Sequence, residues 1–190
     1  MAAGADGLGS VLDEFRMAQS SDLPDLSAVG DVHQPLHAVT LFDDRFTKIH
    51  EAEHEPDTGD RGGNEINVIP ANGTSVNLHA YWDSEFGGYS TVFGALFDGF
   101  DTKTVDGVVV STPNIPAPPA DKAAISDPSA WAQESFELAK AYAYADPVLK
   151  GEKPELPREY ETNARRISEQ QVSLAAARLA NLLNAALGGP

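Results

Sequence analysis

The sequence predicts a mainly α domain, and three observations carry that prediction. Residues Arg158 to Leu187 carry an apolar stripe at helical spacing, Tyr160, Ala164, Ile167, Leu174, Leu179, Leu182 and Leu183, closed by Gly188 and Gly189. Asp127 followed by Pro128 is a helix start, a capping carboxylate before a proline at the first helical position. One long irregular segment lies in the first half of the chain, and the helical readings dominate the rest.

Each element follows in chain order. Val11 to Gln19 has Leu12, Phe15 and Arg16 at helical spacing and predicts a short helix that Ser20 to Pro24 ends. Leu26 to Val32 predicts another, which must stop before Pro35 because that ring pushes Gln34 out of the helical region. Asp43 to Asn64 is polar and ends in the turn Asp60-Arg61-Gly62-Gly63-Asn64. Glu65 to Ile69 predicts a short extended piece and Asn72 to Ser75 a loop. Asn77 to Glu85 and Tyr89 to Phe97 read as helices. Thr104 to Ala120 reads as extended, since Val108 to Val110 are β-branched and Pro113, Pro116, Pro118 and Pro119 forbid a helix. Trp131, Ser135, Leu138 and Tyr142 then repeat at helical spacing. There is no internal repeat.

Composition narrows the function. The 190 residues suit one domain with a real core, and 42% apolar with 22% charged residues is a globular balance. No apolar run is long enough to span a bilayer, so a membrane partner is not expected. Met1 to Ser10 lack the basic start and apolar stretch of a signal peptide. With no cysteine, any zinc has to be held by His, Asp or Glu. The net charge of −16, from 13 basic against 29 acidic residues, disfavours tight non-specific coating of DNA. The acids form a solubilising surface, or some of them ligate cations that reverse the local field.

The histidines cluster between positions 33 and 79. His79 and Asp83 lie four residues apart on an expected helix, so imidazole and carboxylate project from one face. That spacing serves an ordinary surface ion pair, or it lets both donors reach one zinc at about 2.0–2.2 Å. Gly30-Asp31-Val32-His33-Gln34-Pro35-Leu36-His37 places a carboxylate and two imidazoles around a chain reversal. Its alternatives are a solvated turn and a metal site. His33 and His37 cannot share one uninterrupted helix, so one of them is expected to face away. Together the two clusters suggest a site of His37, His79 and Asp83 with an open position for water, the arrangement that metal-assisted hydrolysis needs. Asp31 could ligate a neighbouring ion.

At this point the chain resembles the S1/P1 nuclease family. The matching words are Val29 to His37, Gly59-Asp60-Arg61-Gly62-Gly63-Asn64, Asn77-Leu78-His79-Ala80-Tyr81-Trp82-Asp83, Trp131-Ala132-Gln133-Glu134-Ser135 and Arg178-Leu179-Ala180-Asn181-Leu182-Leu183-Asn184. The resemblance implies a multi-helix phospholipase C/P1 nuclease-like fold with a long irregular loop. It also implies up to three zinc ions that hydrolyse phosphodiester bonds of single-stranded DNA or RNA, and 3′-nucleotides. It assigns His37, His79 and Asp83 to one zinc and makes Asp31 the carboxylate that bridges the other two. It gives His33 a structural hydrogen bond and puts Asn64 near the substrate.

The family's other ligands come from an N-terminal Trp, a following His, and an Asp and a His upstream of the first word. They have no counterpart here, and Ser27 stands where the family has a further His. Residues 1–28 therefore read as a divergent or truncated N-terminal segment, and 29–190 as a nuclease-like domain that misses its N-terminal portion and retains one zinc site. Three functions follow. The first is a zinc-dependent endonuclease acting on single-stranded nucleic acid or nucleotides. The second, ranked below it, is a phospholipase C-like activity on the same metal arrangement. The third is a catalytically incomplete nuclease-derived fragment or binding module with at most one zinc. The family implies a secreted or periplasmic location and no protein partner.

Overall fold

The computed structural model describes residues 2–4, 26–46, 59–86 and 100–188. The helices expected at Val11 to Gln19 and Tyr89 to Phe97 lie outside them, as does the middle of the polar loop, 47–58.

The described elements are mainly helical. Helix α1, Leu26–Asp31, ends ahead of Pro35 as the sequence requires, and a single 3₁₀ turn, Pro35–Ala38, follows. Helix α2 is Leu78–Phe86, with Asn77 Oδ1 accepting from Ala80 N at its start. A short helix α3, Ala120–Ala123, precedes α4, Pro128–Leu138, where Asp127 accepts from Ser129 N and Pro128 occupies the first turn. The chain widens into a π turn over Ala139–Ala143. Helix α5, Arg158–Leu187, has the predicted limits; Glu159 and Glu161 sit at its positive end, and Gly188 closes it at φ 68°.

Strands are short and antiparallel. β1, Ala2–Gly4, pairs with β2, Thr40–Phe42, and β3, Asn67–Val68, pairs with β4, Val76–Asn77, around the expected loop. The stretch read as one extended segment is instead a hairpin of β5, Phe100–Val105, and β6, Val108–Pro113. Asp106 and Gly107 turn it with φ 51° and 81°, the pair of positive angles that matches the twist of antiparallel strands. Beyond Pro113 the prolines keep the chain irregular until α3.

Two apolar clusters share α5. The larger joins Leu36, Val39, Leu41, Leu78, Trp82, Val148 and Leu156 to Tyr160, Ala164 and Ile167 of the helix's first half. The smaller joins Ala28, Val29 and Val32 of α1 to Trp131 and Ala132 of α4, with Leu179 and Leu182 from the second half. A relay of hydrogen bonds locks the larger cluster. Trp82 Nε1 donates to Tyr160 Oη at 2.9 Å, and Tyr160 Oη donates to Ala143 O at 2.8 Å. That buried relay fixes α2 against α5, and hence the helix face that carries His79 and Asp83.

Candidate metal centre

His37 comes from the 3₁₀ turn, and His79 and Asp83 from one face of α2. A donor atom from each lies within 4.8 Å of the others, the only such group of three or more His, Cys, Asp and Glu side chains among the described residues. The two imidazole rings are stacked, with centroids 4.9 Å apart and planes 12° from parallel. His37 Nε2 lies 3.4 Å from Asp83 Oδ1 and His79 Nε2 lies 3.6 Å from Asp83 Oδ2. All three side chains are partly open to solvent, Asp83 most at 49%. The hydrogen bond with His37 holds the Asp83 carboxyl below its usual range, helped by Gln34 and by the nearby imidazole of His79.

The surrounding chain decides which ring atoms are offered. His79 Nδ1 is 2.8 Å from the carbonyl of Gly62. A carbonyl only accepts, so Nδ1 carries a proton, which leaves Nε2, beside Asp83, as the ring nitrogen that could offer a lone pair to a metal. Such an outer hydrogen bond is the usual way a ligating histidine is oriented. The Gly62 carbonyl is itself held by a tight turn. Gly62 has φ 65°, and a Cβ there would come 2.5 Å from Leu36 O. Asp60, fully buried, accepts from Leu41 N at 2.8 Å and Gly62 N at 3.1 Å through Oδ1, and from Tyr144 Oη at 2.7 Å through Oδ2. Burial raises the Asp60 carboxyl, against the pull of these donors. On the other side of the trio, Gln34 Nε2 donates to Asp83 Oδ1 at 2.9 Å.

His33 behaves differently from His37. It is fully buried, its Nδ1 donates to Val29 O at 2.6 Å, and its Nε2 accepts from Arg178 at 2.8 Å. Both nitrogens are spent within the protein, and burial depresses its pKa to about 4. Arg178, whose side chain is fully buried, also donates to Glu134 Oε2 at 2.7 Å and lies over the Trp131 ring. Ser135 Oγ donates to Val32 O, and Gln171 Nε2 to His33 O at 3.1 Å. Three of the sequence words thus meet at one node: Val29 to His37, Trp131 to Ser135, and Arg178.

The other expected residues are placed as follows. Asp31 is exposed at the end of α1, and its carboxylate is not part of the trio. Ser27 is exposed in the same helix. Asn64 is exposed two residues from Gly62, with Nδ2 donating to Arg61 O at 2.8 Å. Sequence reasoning gave no role at the site to Gln34 or Asp60, although both stand in words that resemble the family's. Their partners lie 49 and 84 residues away, and no local signal announces them.

A family model, S1/P1 Nuclease, matches residues 26–188. The chain belongs to the S1/P1 nuclease family. No curated protein matches it. The match spans α1 through α5, so it takes in both the trio and the Arg178 node. As an S1/P1 family member, the chain shares its ancestry with nuclease hydrolases, and the His-His-Asp trio is a set of side chains that could hold a metal. Among the described residues, no helix is long and apolar enough to cross a membrane.

Proposed function

We propose that this protein is a zinc-dependent hydrolase of phosphodiester bonds in single-stranded DNA or RNA, with 3′-nucleotides as further substrates. The observation that carries the reading is the convergence of His37, His79 and Asp83, with the Nδ1 proton of His79 committed to Gly62. Two imidazoles and one carboxylate fit the donor set of a catalytic zinc with an open position. When bound there, zinc acidifies a water enough to supply hydroxide near neutral pH.

The chain's own residues do the rest. Gly62 keeps the His79 lone pair on the solvent side, and Gln34 steadies Asp83. The partial exposure of all three side chains leaves room for a phosphodiester to approach. A protein of net charge −16 has no general attraction for nucleic acid, so substrate recognition is local to this site. Asp31 is the carboxylate this reading reserves for a neighbouring ion. Asn64 offers the second hydrogen of its amide nitrogen to a substrate phosphate. This reading includes a secreted or periplasmic setting, which the resemblance to the family suggests. His79→Ala should abolish zinc-dependent hydrolysis of single-stranded DNA, and undiminished hydrolysis would refute the assignment.

A second reading is a nuclease-derived binding module with one zinc and no hydrolysis. The exposed positions of Ser27 and Asp31, apart from the trio, favour it. Zinc bound at the trio without cleavage of single-stranded DNA, RNA or 3′-nucleotides would select it.

A further inference from the structure

Gln34 stands between the two segments that build the trio, and its amide is used at both ends. Oε1 accepts from Leu36 N, capping the 3₁₀ turn that carries His37, and Nε2 donates to Asp83 Oδ1 on α2 at 2.9 Å. The orientation of the amide is forced, because the Leu36 N–H only donates and the Asp83 carboxylate only accepts. Gln34 is 4% exposed, so water cannot readily replace either partner. One planar group therefore fixes the distance between the His37 turn and the Asp83 carboxylate. It also fixes how the carboxylate faces the two imidazoles: Oδ1 accepts from Gln34 and lies 3.4 Å from His37 Nε2, while Oδ2 lies 3.6 Å from His79 Nε2.

We propose that Gln34 is a positioning residue that holds the Asp83 carboxylate in register with His37 and His79, so that the three donors can meet one metal. This rests on the zinc reading of the trio given above. A carboxylate free to turn would have to be ordered when a metal binds, at a cost in affinity. Held by a buried donor, it is already in place.

Two variants separate this role from simple capping of the turn. Gln34→Glu keeps an acceptor for Leu36 N and removes the donor to Asp83, whereas Gln34→Met removes both. The full-length chain and each variant are titrated with zinc against a competing chelator, then with cobalt(II), whose visible absorption weakens as coordination number rises. Melting curves show that each variant is folded, and should the methionine variant not fold, the glutamate variant decides. The expected result is a zinc dissociation constant about 10–100-fold higher in both variants, the usual cost of losing an outer partner, with an altered cobalt band. Zinc affinity and cobalt spectra equal to wild type in both would overturn the proposal. So would loss confined to Gln34→Met, since capping alone would then be what matters. Absence of metal binding by the wild-type chain would overturn the zinc reading itself, a result distinct from equal binding by all three proteins.

Discussion

His33 and His37 come from the same short word of sequence and have opposite fates. His33 is sealed beneath Trp131, both ring nitrogens spent on Val29 and Arg178, with its pKa pushed down to about 4. His37, one turn beyond Pro35, is partly exposed, stacks on His79 and turns Nε2 toward a carboxylate. The difference is one of partners rather than residue type. A histidine whose nitrogens both have buried protein partners has no lone pair to offer a metal, while one whose accessible Nε2 faces only a carboxylate can release its proton and ligate. The same contrast separates the two regions around them: a closed polar node that holds α1, α4 and α5 together, and an open trio that those elements position.

Substitutions can break this comparison from either side. Arg178→Ala would leave the buried His33 lone pair without its donor and Glu134 with Lys122 as its remaining cation, and leaving a buried polar group unsatisfied costs up to about 3 kcal/mol. Chemical denaturation should show that loss, while the molecules that remain folded keep their zinc affinity. Gly62→Ala should cost about 1–3 kcal/mol, because φ 65° disfavours a side chain and the new Cβ would strike Leu36 O. Unlike Arg178→Ala, it should also weaken zinc binding, since the displaced carbonyl is the one that orients His79. His37→Ala is expected to change stability by about 0.5 kcal/mol or less, as a partly exposed side chain outside the core. Its zinc affinity should nevertheless fall further than in any variant of an outer partner.

The pH profile tests the closed node from another direction. A folded pKa of about 4 for His33, against about 6.5 in the unfolded chain, means that the unfolded state binds the extra proton between those values. Stability should therefore be complete above pH 6.5 and fall as pH drops toward 4, with His33 contributing roughly 3 kcal/mol at the acid end. His33→Gln, which can still donate to Val29 O and accept from Arg178, should lack that part of the slope. An identical slope in both proteins would show that His33 is not the group responsible.

Much of this architecture is legible from residue spacing. The stripe and terminal glycines bound α5, Asp127-Pro128 starts α4, and Pro35 forces the break that separates His33 from His37. The four-residue step from His79 to Asp83 on α2 is likewise a local property. The hairpin was concealed because Val108 to Val110 and the prolines after them dominate the stretch, although Asp106-Gly107 is a turn signal in its own right. The π turn at Ala139–Ala143 lies where alanines give no periodic clue. Gln34 and Asp60 could not be found locally, because each acquires its role from a partner that only the fold brings near. The likeness of the words Trp131 to Ser135 and Arg178 to Asn184 to the family gains a physical account at the same time. Trp131, Glu134, Ser135 and Arg178 enclose His33 and the end of α1, which sets where the His37 turn begins.

The central claim is that His37, His79 and Asp83 together hold zinc. Its most direct test is zinc per chain, by elemental analysis of wild-type and His79→Ala protein purified without chelators. The account predicts at least one zinc per wild-type chain and the loss of one in His79→Ala, with melting curves showing both folded. Equal zinc content in the two proteins, or none in the wild type, would contradict it.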